Sequence, residues 1–344
     1  MTKTYKALES KKTEQGNQLD IVEKNIDDLP EGDLLIKVQY SSLNYKDAMS
    51  AKGIPGVTRN YPHTPGIDAA GVVKSSKDNN FKEGDEVIVT GYDLGMNTPG
   101  GFGEYISVPS GWAINIPQGL TAREAMALGT AGLTAGLSVH ALEKYREYVG
   151  LSGTKSIVTG ATGGVGSVAV MLLSKLGSEV TAVTGKQDQS DFLSSIGASE
   201  IISREDLAEM ARKPIGKSIW DLGVDVASGD ILTLLLTSLN PGGAVACSGL
   251  VGGASFESSI FPFILRGNAL LGIDSVEIPL EEKNHIWKHF ASDWKISLED
   301  SVKQVGLEDL PNEIETIFAG GQVGRVLIQP VSYTHLTLPT SYAV

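Results

Sequence analysis

The chain of 344 residues holds one cysteine, Cys247. A single thiol excludes an intramolecular disulfide and any cysteine-rich zinc site. Positive charge is also short: 28 Lys and Arg against 41 Asp and Glu leave a net charge of −13. An acidic surface gains nothing from meeting a polyanion, so no nucleic acid and no anionic membrane is expected as a partner. No uninterrupted apolar run approaches the ~18 residues of a membrane span. The N-terminus, MTKTYKALESKK, lacks the apolar core of a signal peptide. A cytoplasmic protein is the expectation. No internal repeat and no low-complexity linker stands out. His63 and His140 have no partner at metal-ligand spacing, and both are expected to be structural.

What is abundant is glycine, with 40 residues, well above the usual ~7 %. Such a surplus points to tight turns and to places where backbone approaches a ligand. The length suits two domains, since single cores rarely grow past ~250 residues. Residues 1 to about 120 read as short strands between turn signals: LLIKVQY (34–40), AAGVVKSS (69–76), DEVIVTG (85–91) and GEYISVP (103–109). Residues 121–145 have helical spacing, with Thr121 as N-cap and Glu124 at the capping-box position. An alternation of strands and helices follows: SIVTGA, VGSVAVMLLSKLG, EVTAVTG, SDFLSSIGA, EIIS, WDLGVDVAS, DILTLLLTSL, GAVACSGL and ALLGIDS. That order predicts a parallel, doubly wound sheet. A last strand, RVLIQ (325–329), can return to the first domain. Residues 332–344, SYTHLTLPTSYAV, continue no pattern and read as a non-native or disordered tail.

The stretch TGATGGVGSVAV (159–170) joins a predicted strand to a predicted helix through four glycines. Backbone N–H groups and the positive end of a helix dipole then face whatever lies above the turn, which suits a pyrophosphate. Thr162, Gly163, Gly164 and Val165 form the expected cradle. The spacing also matches the TGxxxGxG turn of short-chain dehydrogenases. That chemistry needs a Tyr-x-x-x-Lys pair, and no tyrosine here has lysine four residues on. An NAD site usually carries an acid at the end of the second strand, about 20 residues further along. Thr184, Gly185 and Lys186 stand there instead. A hydroxyl and an ammonium suit a 2′-phosphate, so NADPH is the expected cofactor, with Arg204 in reach of the same phosphate.

SSLNYKDAMSAKG (41–53), YPHTPGIDAAGVV (61–73), GATGGVG (160–166), SGLVGG (248–253), FPFILRGNALLGIDSV (261–276) and GQVGRVLI (321–328) together resemble the medium-chain dehydrogenase/reductase superfamily. Within it they resemble the acrylyl-CoA reductase group, often labelled quinone oxidoreductases. The resemblance spans nearly all of residues 1–331. It implies an α/β architecture: a GroES-like, partly open β-barrel catalytic domain (1–124 with 276–331) and a Rossmann doubly wound domain for NADPH (125–275). Alcohol dehydrogenases of the superfamily bind zinc through Cys and His with a Gly-His-Glu motif. Here that motif reads Gly66-Ile67-Asp68, and the neighbourhood of the first cysteine reads Leu43-Asn44-Tyr45. Without two or three ligands there is no Lewis acid, so metal-free chemistry is expected: reduction of an activated C=C bond, or of a quinone.

For an enoyl thioester the enzyme must hold the reacting carbons close and stabilise charge developing on the thioester oxygen. By resemblance, the Asn44-Tyr45-Lys46-Asp47 segment faces the nicotinamide. Tyr45 is the candidate to contact the ring and to donate a proton, and Asn44 to bond the carboxamide. Lys46 and Asp47 suit an orienting pair or loop anchor. Ser275 and Leu250 resemble nicotinamide-side contacts, and Arg325 a basic residue of the terminal strand with a cofactor or structural role. Arg59 and Lys52 are candidates for CoA phosphates. Cys247 is expected in the core. The leading expectation is NADPH-dependent reduction of acrylyl-CoA, a CoA thioester, to propionyl-CoA. Quinone reduction, and NADPH binding without turnover, are the alternatives. The resemblance implies that the apolar stretch GNALLGIDSV supplies an edge strand for a homodimer.

Overall fold

The structure is a computed structural model that describes residues 4–147, 150–210 and 215–331. The tail expected at 332–344 lies outside the described residues. The chain begins with a hairpin of β1 (Thr4–Thr13) and β2 (Gly16–Asn25), closed where Thr13 pairs with Gly16. β3 (Leu34–Ser42) buries Leu34, Ile36 and Val38, the period-two face that its sequence requires. α1 (Tyr45–Ala51) follows at once, with Asn44 as its N-cap. β4 (Asp68–Ser76), β5 (Glu86–Thr90), β6 (Tyr105–Val108) and β7 (Ala113–Asn115) complete this part.

α2 (Ala122–Tyr145) starts at the expected capping box: the Glu124 amide donates to Thr121 Oγ1 at 3.1 Å, and the Thr121 amide to the Glu124 carboxylate at 2.8 Å. By length and composition α2 is apolar enough to cross a membrane, which short Gly, Thr and Ser interruptions hide in the sequence. Its apolar stretch is 89 % buried inside the protein, so it is the core helix. It is not continuous. Gly129 has φ 54° and ψ −158°, outside helical values. A Cβ there would sit 2.1 Å from Ser42 Oγ and 2.6 Å from Asp68 Oδ2, so only glycine fits the break.

The alternating region then runs β8 (Lys155–Val158), α3 (Gly164–Lys175), β9 (Glu179–Thr184), α4 (Ser190–Ser195), β10 (Glu200–Ser203), α5 (Arg204–Met210), β11 (Trp220–Asp225), α6 (Asp230–Ser238), β12 (Leu239–Cys247), α7 (Phe261–Arg266) and β13 (Ala269–Gly272). Its six strands are all parallel in the order β10-β9-β8-β11-β12-β13. This is the doubly wound order of a Rossmann sheet, whose strand order reverses beside β8 and opens a crevice at the carboxyl ends. The chain ends with α8 (Leu280–Ala291), β14 (Val302–Val305), α9 (Leu310–Phe318) and β15 (Arg325–Ile328). β15 pairs antiparallel with β3 at Leu327–Ser42, giving a second sheet ordered β14-β15-β3-β4-β5-β7, with β6 also on β3. The terminal strand therefore returns to the first domain, as its sequence suggested. α2 packs against both sheets, and its buried side chains share one core with residues of each.

Candidate active site

A cleft of about 430 Å³ lies between the two sheets, at the carboxyl ends of β8, β9 and β11. Its floor is the glycine turn. Thr159 Oγ1 anchors that turn by donating to Asp225 Oδ1 at 2.7 Å. Gly160 takes φ +58°, and Gly166 lets the helix pass so close that a Cβ would sit 2.3 Å from the Gly160 carbonyl. No side chain caps α3, whose N-cap is Gly163. Its first N–H groups therefore keep their donors for a ligand.

At one end of the cleft stand Thr184, Gly185, Lys186 and Arg204. The Lys186 amide donates to Thr184 Oγ1 at 2.9 Å, and its Nζ to the Gln322 carbonyl at 2.6 Å. The Arg204 guanidinium lies along Gly185, 3.4 Å from where a Cβ would be. Burial holds the Lys186 ammonium below its usual pKa and Arg204 adds repulsion, with Asp188 opposing. Among the described residues no carboxylate lines this cleft. An anion placed between the two cations would relieve both.

At the other end Tyr45 stacks on Phe318, ring centroids 6.0 Å apart and 7° from parallel, and remains 37 % exposed. Behind it, Asp68 is fully buried and its carboxylate accepts from Ser42 Oγ (2.5 Å), Asn44 Nδ2 (2.7 Å), the Thr130 amide (2.8 Å) and Thr130 Oγ1 (2.5 Å). Asp47, also fully buried, accepts from the Asn44 amide at 2.8 Å and the Ile67 amide at 2.7 Å. Burial pushes its carboxyl up to about 7, helped by the nearby charge of Asp68 and opposed by those amides. Arg325 is 1 % exposed, yet it reaches the cleft: Nε donates to the Ala127 carbonyl (3.0 Å) and one terminal nitrogen to the Leu43 carbonyl (3.2 Å). Its other terminal nitrogen, Nη2, is buried without a hydrogen-bond partner. Burial lowers the arginine's pKa, while Asp68 and Asp47 raise it. Nη2 lies at the Gly129 break with Ser42 and Asp68, while Nη1 lies beside Gly164, so that a cation flanks the uncapped helix start where a pyrophosphate would sit.

Family models match on both sides of this cleft: "Alcohol dehydrogenase GroES-like domain" over residues 30–118, and "Zinc-binding dehydrogenase" over 164–292. YhfP of Bacillus subtilis, assigned by its name only provisionally to the quinone oxidoreductases, is 44 % identical over 96 % of this chain and 100 % of its own. A solved structure of that yhfP with NAD bound superposes with a TM-score of 0.91 at 43 % identity, covering 95 % of this chain and 99 % of that one. Acrylyl-CoA reductase AcuI of Ruegeria pomeroyi is 40 % identical over 94 % of this chain and 98 % of its own. The yhdH oxidoreductase of Salmonella enterica, solved in complex with NADP, has a TM-score of 0.91 at 37 % identity, covering 95 % of this chain and 100 % of that one. The chain belongs to the medium-chain dehydrogenase/reductase superfamily.

It is an oxidoreductase of the superfamily's acrylyl-CoA reductase and quinone oxidoreductase group. The zinc that one family description implies does not fit the residues present. Ile67 stands where the motif has its histidine, and Asp68, in the last motif position, has both carboxylate oxygens already engaged by hydroxyl and N–H donors. Among the described residues no three His, Cys, Asp or Glu converge as a metal would need. Cys247 is half-buried at the end of β12, its thiol aimed at Asp225 (3.6 Å), and burial with that carboxylate pushes it up to about 11.

The superfamily fold brings most of the expected residues together: Asn44, Tyr45, Thr162, Gly163, Gly164, Val165, Thr184, Gly185, Lys186, Arg204 and Arg325 all line the one cleft. Four others stand outside its lining. Ser275 is buried beyond the end of β13, 2.7 Å from the hydroxyl of Thr134, and it is Thr134 that lines the cleft. Leu250 is 60 % exposed, and its neighbour Val251 takes the lining position. Lys52 is held by Glu315 at 2.5 Å, over the Phe318 ring. Arg59 is exposed, its amide on Asn97 Oδ1. His140 packs against two other imidazoles, its ring centroid 4.8 Å from His285 and 6.2 Å from His289, on α8. They lie on a different helix, so the sequence around His140 does not show these ring contacts. Reasoning from sequence also missed Thr130, Asp68 as a hub, and Gln322. The one available signal was Gly129-Thr130 interrupting an otherwise helical pattern.

Proposed function

We propose that this oxidoreductase uses NADPH to reduce the C=C bond of a 2-enoyl-CoA thioester such as acrylyl-CoA, giving propionyl-CoA, by hydride transfer without a metal. The observation that carries the reading is one cleft, with no carboxylate among its described lining, that joins an uncapped glycine turn, the Lys186–Arg204 pair and the Asn44–Tyr45 step. NADPH, when bound, supplies the hydride. Lys186 and Arg204 hold the 2′-phosphate, where an acid would repel it. The turn at Gly163 presents the amides of Gly164 and Val165 to the pyrophosphate, with Arg325 Nη1 beside Gly164. Asn44 faces the carboxamide, and Tyr45, exposed at the cleft, is the candidate proton donor to the α-carbon. Ser275 acts on the nicotinamide side through Thr134, and Leu250 through the loop that carries Val251. Arg59 is the better candidate for a CoA phosphate, because Lys52 must first leave Glu315.

The likeness to AcuI supports the thioester and that to the NADP-bound yhdH the phosphate; the NAD-bound yhfP points the other way on the phosphate. A second reading, reduction of quinones, is favoured by the YhfP likeness. We place the catalytic unit at 1–124 with 276–331 and the nucleotide unit at 125–275, and we propose a homodimer. The test is NADPH consumption, followed by nicotinamide absorbance, with acrylyl-CoA, crotonyl-CoA and a benzoquinone in parallel. Turnover of the thioesters well above the quinone is expected. Turnover of the quinone alone favours the second reading, and binding without turnover of any acceptor points to a non-catalytic NADPH protein.

A further inference from the structure

Among the described residues four donors reach the Asp68 carboxylate, and three of them belong to two residues that line the cleft, Asn44 and Thr130. The Thr130 hydroxyl spends its one proton on Asp68 Oδ1. The Asn44 carboxamide spends its NH₂ on Asp68 Oδ2 at 2.7 Å, with Asp47 Oδ2 (3.3 Å) and the Ser42 carbonyl (3.4 Å) as further acceptors on the same side. Three oxygens around that nitrogen leave no doubt which way the amide is turned. What Thr130 and Asn44 can still offer to the cleft is oxygen lone pairs. The Gly129 break is needed for this, because it delivers both the amide and the hydroxyl of Thr130 to one carboxylate.

We infer that Asp68 sets the hydrogen-bond polarity of this wall, making it an acceptor surface that selects a ligand group bearing N–H donors, a primary carboxamide such as that of nicotinamide. This rests on the dinucleotide reading of the cleft. Asp68 touches no ligand itself and is a positioning residue. Replaced by Asn, it would present an NH₂ of its own, compete with the Asn44 and Thr130 donors, and turn at least one of them toward the cleft.

Calorimetric titration with NADP⁺ and with its 3-acetylpyridine analogue, in which an acetyl group replaces the carboxamide and removes its N–H donors, reads this directly with no acyl substrate present. The wild-type chain is expected to bind NADP⁺ about tenfold more tightly than the analogue, the scale of one hydrogen bond of about 1.4 kcal/mol. Asp68→Asn should bring that ratio to within about threefold, even if both affinities fall. Thr130→Val, which keeps the shape and removes the lone pairs, should do the same and serves if Asp68→Asn does not fold. A wild-type ratio near one, or a ratio unchanged in the variants, overturns the inference. Failure of the wild type to bind either nucleotide would instead remove the cofactor reading beneath it.

Discussion

Lys186 is the residue on which the nucleotide choice turns. Its ammonium is partly desolvated, sits beside Arg204 with Asp188 nearby, and among the described residues donates to the Gln322 carbonyl at 2.6 Å. A 2′-phosphate would replace a neutral acceptor by a doubly useful anion. In Lys186→Asp the same position repels that phosphate, so the ratio of kcat/KM for NADPH over NADH should fall at least tenfold, about 1.4 kcal/mol. A ratio that does not move would assign the lysine to fastening Gln322 alone. The residue was legible in the sequence because its position after β9 is fixed by strand order. Asp68 was legible only as a missing zinc motif. Its hydrogen bonds come from residues 42, 44 and 130, and nothing local to Gly66-Ile67-Asp68 announces so distant a set of partners.

At the scale of elements, α2 and α8 meet through three imidazoles. His285 and His289 are one turn apart on α8, with Nε2 atoms 3.2 Å apart, and His289 Nδ1 lies 2.9 Å from Asp293. His140 of α2 is pushed down to about 4 by burial first, then by Lys144, His285 and His289, and Glu143 also borders the cluster. A histidine kept neutral in the fold but free to charge when unfolded leaves stability intact above its ordinary pKa of 6.5. The loss then grows as pH falls from there to about 4. Melting temperatures should therefore drop between pH 7 and 4.5, and less steeply in His140→Gln; parallel curves would show that another group governs the acid limb. Helix existence was readable for α2 from its spacing and capping box. The break was not, because a buried glycine inside a helix has the same pattern whether or not its φ is positive. Strand ends were also blurred: Ser275 seemed to finish a strand that stops at Gly272, since apolar residues continue past it.

For the whole molecule, the remaining apolar surface gathers on the β13 side. Leu250, Val251, Ile260, Phe261, Ile264 and Leu265 are exposed there, beside a strand with one free edge. A patch of this kind suits a second copy of the chain. Sedimentation should find a dimer, and Ile264→Asp together with Leu265→Asp should yield a monomer; a wild-type monomer would set the homodimer aside. The return of β15 to β3 has a further consequence, for the order in which the protein comes into being. A ribosome that has released residues up to Gly272 has delivered every strand of the nucleotide sheet, yet the barrel still lacks β14 and β15. Arg325, the first residue of β15, also arrives after that sheet is complete. Asp68, Asn44 and Thr130 thus wait in the nascent chain beside a space that is filled only after the nucleotide sheet is complete. The parallel sheet can mature early, and the sheet whose β4 begins at Asp68 closes after it.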